Sequence, residues 1–236
     1  FYTYCYKDIK MEYVGKTFHI NLKEISNNDG YSKTNGINII KAWEYCNKIP
    51  LNNNGKKEKK EKLLSNVLVS NGVDVVATDK NGAYELAITN DSPIFVIKPS
   101  GYQFALDAFN LPKFYYLHKP QGSPQLKYKG VQPTGNLPKS LNFGLVPSKE
   151  SDQFTAFAFG DPQAYNKTEI NYFIEGIIKD VDKNKAVFGI SLGDLVGDDL
   201  VLHPDYKNAI KQIGLPWYNV MGNHDMNYDA TIDEHS

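Results

Sequence analysis

The sequence predicts two folds in succession: a small β-sandwich, then the first half of a parallel α/β sandwich with the order βαβαβ. Short β-type runs separated by turn residues dominate before about residue 150, whereas strands alternate with amphipathic helices after it. Polar residues also follow directly after each strand of the second part. We therefore expect domains at 1–147 and 154–236, joined by a linker at 148–153.

The first part has the strand spacing of a small sandwich. Asn71-Gly72 predicts a hairpin, because both positions of a two-residue turn need positive φ. Residues 79–82 form a second turn signal, and residues 119–140 are expected to be an extended connection. The predicted strands are 67–70, 73–78, 83–89 and 94–98.

Two features of the first part are expected to be structural. Residues 37–46 are predicted to form a short helix in which Cys46 packs as a small apolar group. Cys5 and Cys46 match neither a metal-type spacing nor a disulfide framework, which leaves the redox compartment open. The Lys/Glu-rich stretch near 52–62 fits a solvated surface insertion better than an electrostatic docking patch.

Composition excludes some classes of protein. The 236 residues carry 26 Lys and Arg against 27 Asp and Glu, so the chain lacks the basic excess of a nucleic-acid binder. No apolar run approaches the roughly 20 residues that span a bilayer. No basic stretch leads into an apolar run at the N-terminus, so no signal peptide is visible.

The second part alternates strands and helices. Asn166 is a predicted N-cap with Glu169 at the capping-box position, and a second helix at about 204–213 ends before Gly214. The predicted strands are 154–159, 186–192 and 216–221. Residues with helical spacing that we assign to the core are Ile170, Phe173, Ile174, Ile177, Ile178 and Val181.

Polar residues lie at the carboxyl ends of these three strands, where the ligands of parallel α/β sheets bind. Carboxylate and amide oxygens with an imidazole suit divalent metals. Each motif alone could be a turn or a helix cap, but three in chain order, with a helical segment between each pair, form a specific pattern. The residues are Asp161, Gln163, Asp194, Asn223, His224 and Asp225.

These motifs resemble the calcineurin-like metallophosphoesterase family, whose order is Asp-x-His or Gln, then Gly-Asp, then Gly-Asn-His-Asp or Glu. The resemblance covers about residues 154–236. The first part is similar to the transthyretin-like or carboxypeptidase-regulatory-like sandwich that precedes this domain in one bacterial branch. The fold class that this likeness implies is an immunoglobulin-like or transthyretin-like β-sandwich. Stretches that carry this second likeness include 67–84, 99–102, 118–120 and 137–140.

The resemblance implies a role for each matching residue. Asp161 and Gln163 would bind a first metal, Asn223 a second, and Asp194 would bridge both. His224 would lie beside the substrate phosphate, and Asp225 would orient His224. Because Gln163 stands where many members have His, the case for Zn²⁺ at the first site is weaker, and Mn²⁺, Mg²⁺ or Fe is favoured there.

The resemblance also predicts that the site is incomplete. The family adds a histidine and then a Gly-His-x-His motif downstream, but only His235 follows Asp225. A second β-layer is missing as well. We therefore expect the chain to be truncated at its C-terminus and, ending at Ser236, to be inactive by itself.

The implied function is hydrolysis of phosphoric monoesters or diesters by two divalent ions and a bridging hydroxide. Two alternatives stay open: an envelope or glycan-binding module, and a metal-bound scaffold with a degenerate phosphoesterase domain. The family resemblance also suggests export to the periplasm or the cell surface. Substrate and oligomeric state are not predicted, and the choice among Mn, Fe, Zn and Mg stays open.

The other histidines are expected to be structural or surface residues, because each occurs singly in a strand or loop: His19, His118 and His203. The context of His235 ends too soon to assign it. Asp198 and Asp199 follow Asp194 closely and fit either contacts to the site or a solvated loop.

Overall fold

The computed structural model describes residues 10–14, 17–21, 37–44, 62–138 and 140–230. The chain has two compact units, Phe1–Asn35 and Gly36–Ser236. In the first unit, strand β1 (Lys10–Val14) pairs antiparallel with β2 (Thr17–Asn21). Among the described residues, no helix has the length and apolar character needed to cross a membrane.

The first half of the second unit is here called the β-rich half, and its described residues form two four-stranded sheets. One has the order β6-β3-β10-β8 and the other β5-β4-β7-β9, and all pairs are antiparallel except β3 with β10. The strands are β3 (Ile37–Glu44), β4 (Leu68–Ser70), β5 (Val75–Ala77), β6 (Ala83–Ala87), β7 (Ser92–Val96), β8 (Tyr102–Phe104), β9 (Tyr115–His118) and β10 (Asn142–Pro147).

Both sheets contribute side chains to one hydrophobic core, which includes Val69 and Val96 from one sheet and Tyr84, Leu86 and Leu145 from the other. The prediction that short β-strands dominate this half is therefore confirmed. Its assignment to the immunoglobulin-like or transthyretin-like type remains a prediction.

The predicted helix at 37–46 is wrong, because Ile37–Glu44 forms strand β3 between β6 and β10. Strand pairing on both sides outweighs the weak local propensity of such a short segment. Cys46 and residues 52–61 of the Lys/Glu-rich stretch lie outside the described residues.

The hairpin at Asn71-Gly72 forms, but with a longer loop than a two-residue turn. Ser70 pairs with Val75, so four residues connect β4 and β5. Gly72 has the positive φ that the turn needs, +93°. The Asn71 side-chain oxygen accepts the N–H groups of Val73 and Asp74 at 2.9 and 2.6 Å. The side chain of Asn71 thus supplies bonds that favour the longer turn.

The second half of this unit, here called the α/β half, has the predicted βαβαβ order. Strands β11, β12 and β13 pair in parallel and in sequence order. The elements are β11 (Ala156–Phe159), α1 (Lys167–Gly176), β12 (Phe188–Ser191), α2 (His203–Lys211) and β13 (Trp217–Asn219), with 3-10 turns at Ile178–Asp180, Lys183–Lys185, Leu200–Leu202 and Asn223–Asp225. The carboxyl ends of the strands therefore share one edge.

Neighbouring strands of this sheet approach closely because Gly189 leaves room for Trp217. A Cβ on Gly189 would lie 2.0 Å from the indole ring. Trp217 is fully buried, and its Nε1–H donates to the Ser191 hydroxyl at 3.0 Å. This contact fixes β12 against β13 directly below the candidate site.

Helix α1 begins with the predicted cap. The Asn166 side chain accepts the Glu169 N–H at 3.0 Å, and Glu169 accepts the Tyr165 N–H at 2.7 Å. Of the residues assigned to the core, Ile170, Phe173 and Ile178 are buried, and Ile174 and Val181 are partly buried against them. Ile177 is instead 48% exposed, because the helix ends at Gly176 and the chain turns there.

We expect Asn166→Ala to lower the free energy of unfolding by about 1 kcal/mol, because alanine cannot satisfy the orphan N–H at the helix start. Urea denaturation followed by circular dichroism measures the change. Asn171→Ala, at an exposed position inside the same helix, is the matched control and should not lower stability, because alanine has the higher helix propensity. Equal stability of the Asn166 variant and the wild type would contradict the cap.

The two halves contact each other through the loop after β8. The carbonyl oxygen of Asn110 accepts the N–H of Trp217 at 3.0 Å, and the Asn110 amide donates to the carbonyl oxygen of Lys211 at 3.1 Å. Leu111 packs against the core of the α/β half. The β-rich half is therefore fixed beside β13.

Candidate functional site

The loops after β11 and β12 meet at the predicted ligands Asp161, Gln163 and Asp194. The N–H of Gln163 donates to the carbonyl oxygen of Asp194 at 2.7 Å. The φ angles of Asp161, Gln163 and Asp194 are +56°, +38° and +47°, a region that residues other than glycine seldom adopt. Strained backbone of this kind clusters at functional sites.

The loops after β12 and β13 touch backbone to backbone at Gly193 and Gly222. Gly193 has φ +106°, and a Cβ there would lie 3.0 Å from the Cα of Gly222. The N–H of His224 donates to Asp194 Oδ1 at 3.0 Å. The motifs Gly193-Asp194 and Gly222-Asn223-His224-Asp225 therefore form one structural unit. The two backbones approach so closely that a side chain at Gly193 or Gly222 would not fit without a shift, which explains the glycine in each motif.

Asp225 holds these two loops together through backbone groups. Asp225 is buried, with 6% of the residue exposed, and its carboxylate accepts the N–H groups of Leu195, Val196 and Gly222 at 3.0, 3.1 and 2.9 Å. This differs from the expected role, in which Asp225 orients the His224 ring. Buried carboxylates need such bonds, and backbone donors supply them here.

Asp198 is the residue that contacts the His224 ring. The distance between His224 Nδ1 and Asp198 Oδ1 is 2.8 Å. This hydrogen bond raises the pKa of His224, and the charges of Asp198, Asp194 and Asp161 raise it further. The sequence left Asp198 open between a site contact and a solvated loop, and the structure places it at the site.

The two predicted amide ligands are only partly engaged by the protein. The amide nitrogen of Gln163 donates to the hydroxyl of Tyr165 at 3.0 Å, a bond that does not use the amide oxygen a metal would need. Asn223 is exposed, and its backbone carbonyl accepts the hydroxyl of Tyr228 at 2.8 Å. Both amide oxygens can therefore still serve as ligands.

Within the described residues, no group of three or more His, Cys, Asp or Glu side chains is placed to hold a metal ion. Asp161 and Asp194 are the only carboxylates among the four predicted ligands, since Gln163 and Asn223 are amides. The carboxylates that act on His224 make the site attractive to a cation. The residues present thus fit part of a metal centre.

His203 contributes to this region although no role was predicted for it. Its Nε2 is 3.8 Å from Asp225 Oδ1, and burial lowers its pKa while Asp225 opposes that change. His118 is buried in the β-rich half at the end of β9, which agrees with a structural residue. His235 lies outside the described residues.

Comparison with known proteins supports one family. The sequence model described as the N terminal of calcineurin-like phosphoesterase matches residues 51–130. That match lies in the β-rich half, whereas the strand-end motifs lie in the α/β half, outside the matched residues. No curated protein and no solved structure gives a significant match.

Proposed function

We propose that the protein containing this chain is a metal-dependent phosphoric ester hydrolase of the calcineurin-like type. The observation that carries this proposal is the meeting of three strand-end loops around Asp161, Asp194 and His224. The transthyretin-like assignment of the β-rich half, and a domain division at 148–153, belong to the same proposal.

In this function Asp161, Gln163, Asp194 and Asn223 would hold two divalent cations. When bound, such cations activate water and neutralise charge on the phosphoryl oxygens. The oxygen-rich set, with an amide at Gln163, favours Mn²⁺, Mg²⁺ or Fe over Zn²⁺. Asp225 contributes by holding the second and third loops in place through three backbone N–H groups.

His224 would supply the proton for the leaving oxygen. Asp198 binds Nδ1, which leaves Nε2 as the nitrogen that can face an ester. The same bond raises the pKa of His224 and so favours the imidazolium that a general acid requires. Asp198 thus takes the orienting role that the resemblance assigned to Asp225.

A metal-bound scaffold without chemistry is the second candidate. Its support is that two of the four predicted ligands, Gln163 and Asn223, are neutral amides, which contribute no negative charge to the site. Metal content and turnover measured on the same sample separate the two candidates.

We expect the full-length protein to hydrolyse p-nitrophenyl phosphate or bis-p-nitrophenyl phosphate, and to lose turnover when EDTA removes its metal. Adding back Mn²⁺, Mg²⁺, Fe²⁺ or Zn²⁺ separately should restore activity and identify the preferred ion. Bound metal without turnover on either ester would favour the scaffold. A metal-free protein with full turnover would contradict both.

A further inference from the structure

One segment of the β-rich half reaches the candidate site. It comprises residues 121–133 and is here called the arm. The hydroxyl of Tyr128 donates to the backbone carbonyl of Asp198 at 3.0 Å, and the carbonyl of Tyr128 accepts the amide of Asn227 at 3.2 Å. Asp198 belongs to the loop after β12 and Asn227 to the loop after β13, so Tyr128 bridges two site loops.

The arm is braced by its own hydrogen bonds. Ser123 and Val131 pair across it, with the Ser123 N–H donating to the Val131 carbonyl at 2.8 Å and the Val131 N–H donating to the Ser123 hydroxyl at 3.0 Å. At its base, Lys119 and Thr134 exchange two further bonds of 3.0 Å. Tyr128 is therefore presented by a defined loop.

The base of the arm is also anchored in the β-rich half. Lys119 is 3% exposed, and its ammonium group lies 3.0 Å from the Asp91 carboxylate. A buried ammonium group needs such a partner. The arm thus starts from a rigid point at the end of β9 and ends on the loops of the α/β half.

The Asp198 backbone matters because its side chain holds His224. Asp198 has φ +65°, a left-handed conformation that residues other than glycine adopt seldom, although aspartate more often than most. The Tyr128 hydroxyl supplies a contact to this backbone at the carbonyl of Asp198. The side chain of Asp198 meets His224 Nδ1 at 2.8 Å. A shift of the Asp198 backbone would therefore move the imidazole.

We propose that Tyr128 is a positioning residue for His224, acting through Asp198, and that the arm makes the β-rich half part of the active site. This inference rests on the proposed hydrolase function. A contact that served only to join the two halves would contribute to stability. Its removal would leave the kcat of the folded protein unchanged.

The test compares Tyr128→Phe with Tyr116→Phe in the full-length protein. Both variants remove one hydroxyl from the β-rich half, and the Tyr116 hydroxyl makes no hydrogen bond within the described residues. For Tyr128→Phe we expect kcat to fall about 3- to 10-fold with little change in KM, as the loss of one hydrogen bond predicts. Tyr116→Phe should leave both constants unchanged.

A second measurement does not depend on activity. Amide hydrogen exchange in peptides covering residues 195–200 should speed up about 3- to 10-fold in Tyr128→Phe and remain unchanged in Tyr116→Phe. If Tyr128 acts through Asp198, adding Tyr128→Phe to Asp198→Ala should lower kcat no further.

Three outcomes would overturn the inference: a Tyr128 variant with wild-type kcat, unchanged exchange, or an undiminished effect in the Asp198→Ala background. Failure of the proposed function looks different, because the wild-type protein itself would then lack turnover with every metal. In that case the exchange experiment alone decides whether Tyr128 fixes the Asp198 loop.

Discussion

Asp194→Asn should abolish metal-dependent turnover of the full-length protein while leaving it folded. Asparagine has the same shape, and its amide oxygen can still accept the N–H of His224, which lies 3.0 Å from Asp194 Oδ1. What disappears is the negative charge that a bridging ligand needs. We expect kcat/KM to fall by more than about 100-fold, because even residues outside the ligand shell cost 10- to 100-fold.

The matched control for this prediction is Asp180→Asn, the same change of charge at an exposed position of the 3-10 turn after α1. Thermal melting checks that both variants are folded, and metal analysis measures what each one binds. Asp194→Asn should also retain less metal than Asp180→Asn. Wild-type turnover by the Asp194 variant would mean that the ligands are misplaced.

The α/β half could be predicted because its information is local. Each strand is a short apolar run, each helix has an apolar face, and the polar residues follow directly on the strands. Parallel pairing then brings Asp161, Asp194 and His224 to one edge without any knowledge of distant contacts. The cap at Asn166 was equally visible, because a capping box lies within four residues.

Contacts between distant parts of the chain could not be predicted. Tyr128 and Asp198 are 70 positions apart, and nothing near Tyr128 indicates a partner in another half. The strand Ile37–Glu44 was mistaken for a helix because its identity depends on pairing with β6 and β10. The sequence also does not show which donors surround a buried carboxylate such as Asp225, which here are backbone N–H groups from two loops.

We expect Gly222→Ala to disrupt the site and lower stability together. A Cβ on Gly222 would lie 2.0 Å from Asp194 Oδ1 and 2.2 Å from the backbone nitrogen of Asp194. Backbone atoms cannot move aside as a flexible side chain can, so the two loops must separate. Overpacking of this kind costs about 1–3 kcal/mol, and a displacement near 1 Å lowers turnover by about 100-fold.

The control for Gly222→Ala is Gly176→Ala, because a Cβ on Gly176 would meet nothing within 4 Å. Urea denaturation measures stability, and an ester assay at fixed metal concentration measures turnover. The separation of the loops should also break the 2.9 Å hydrogen bond from the Gly222 N–H to Asp225. The Asp225 carboxylate would then keep two of its three backbone donors, Leu195 and Val196. If Gly222→Ala matched Gly176→Ala in both measurements, the close approach of the second and third loops would not be what holds His224 over Asp194.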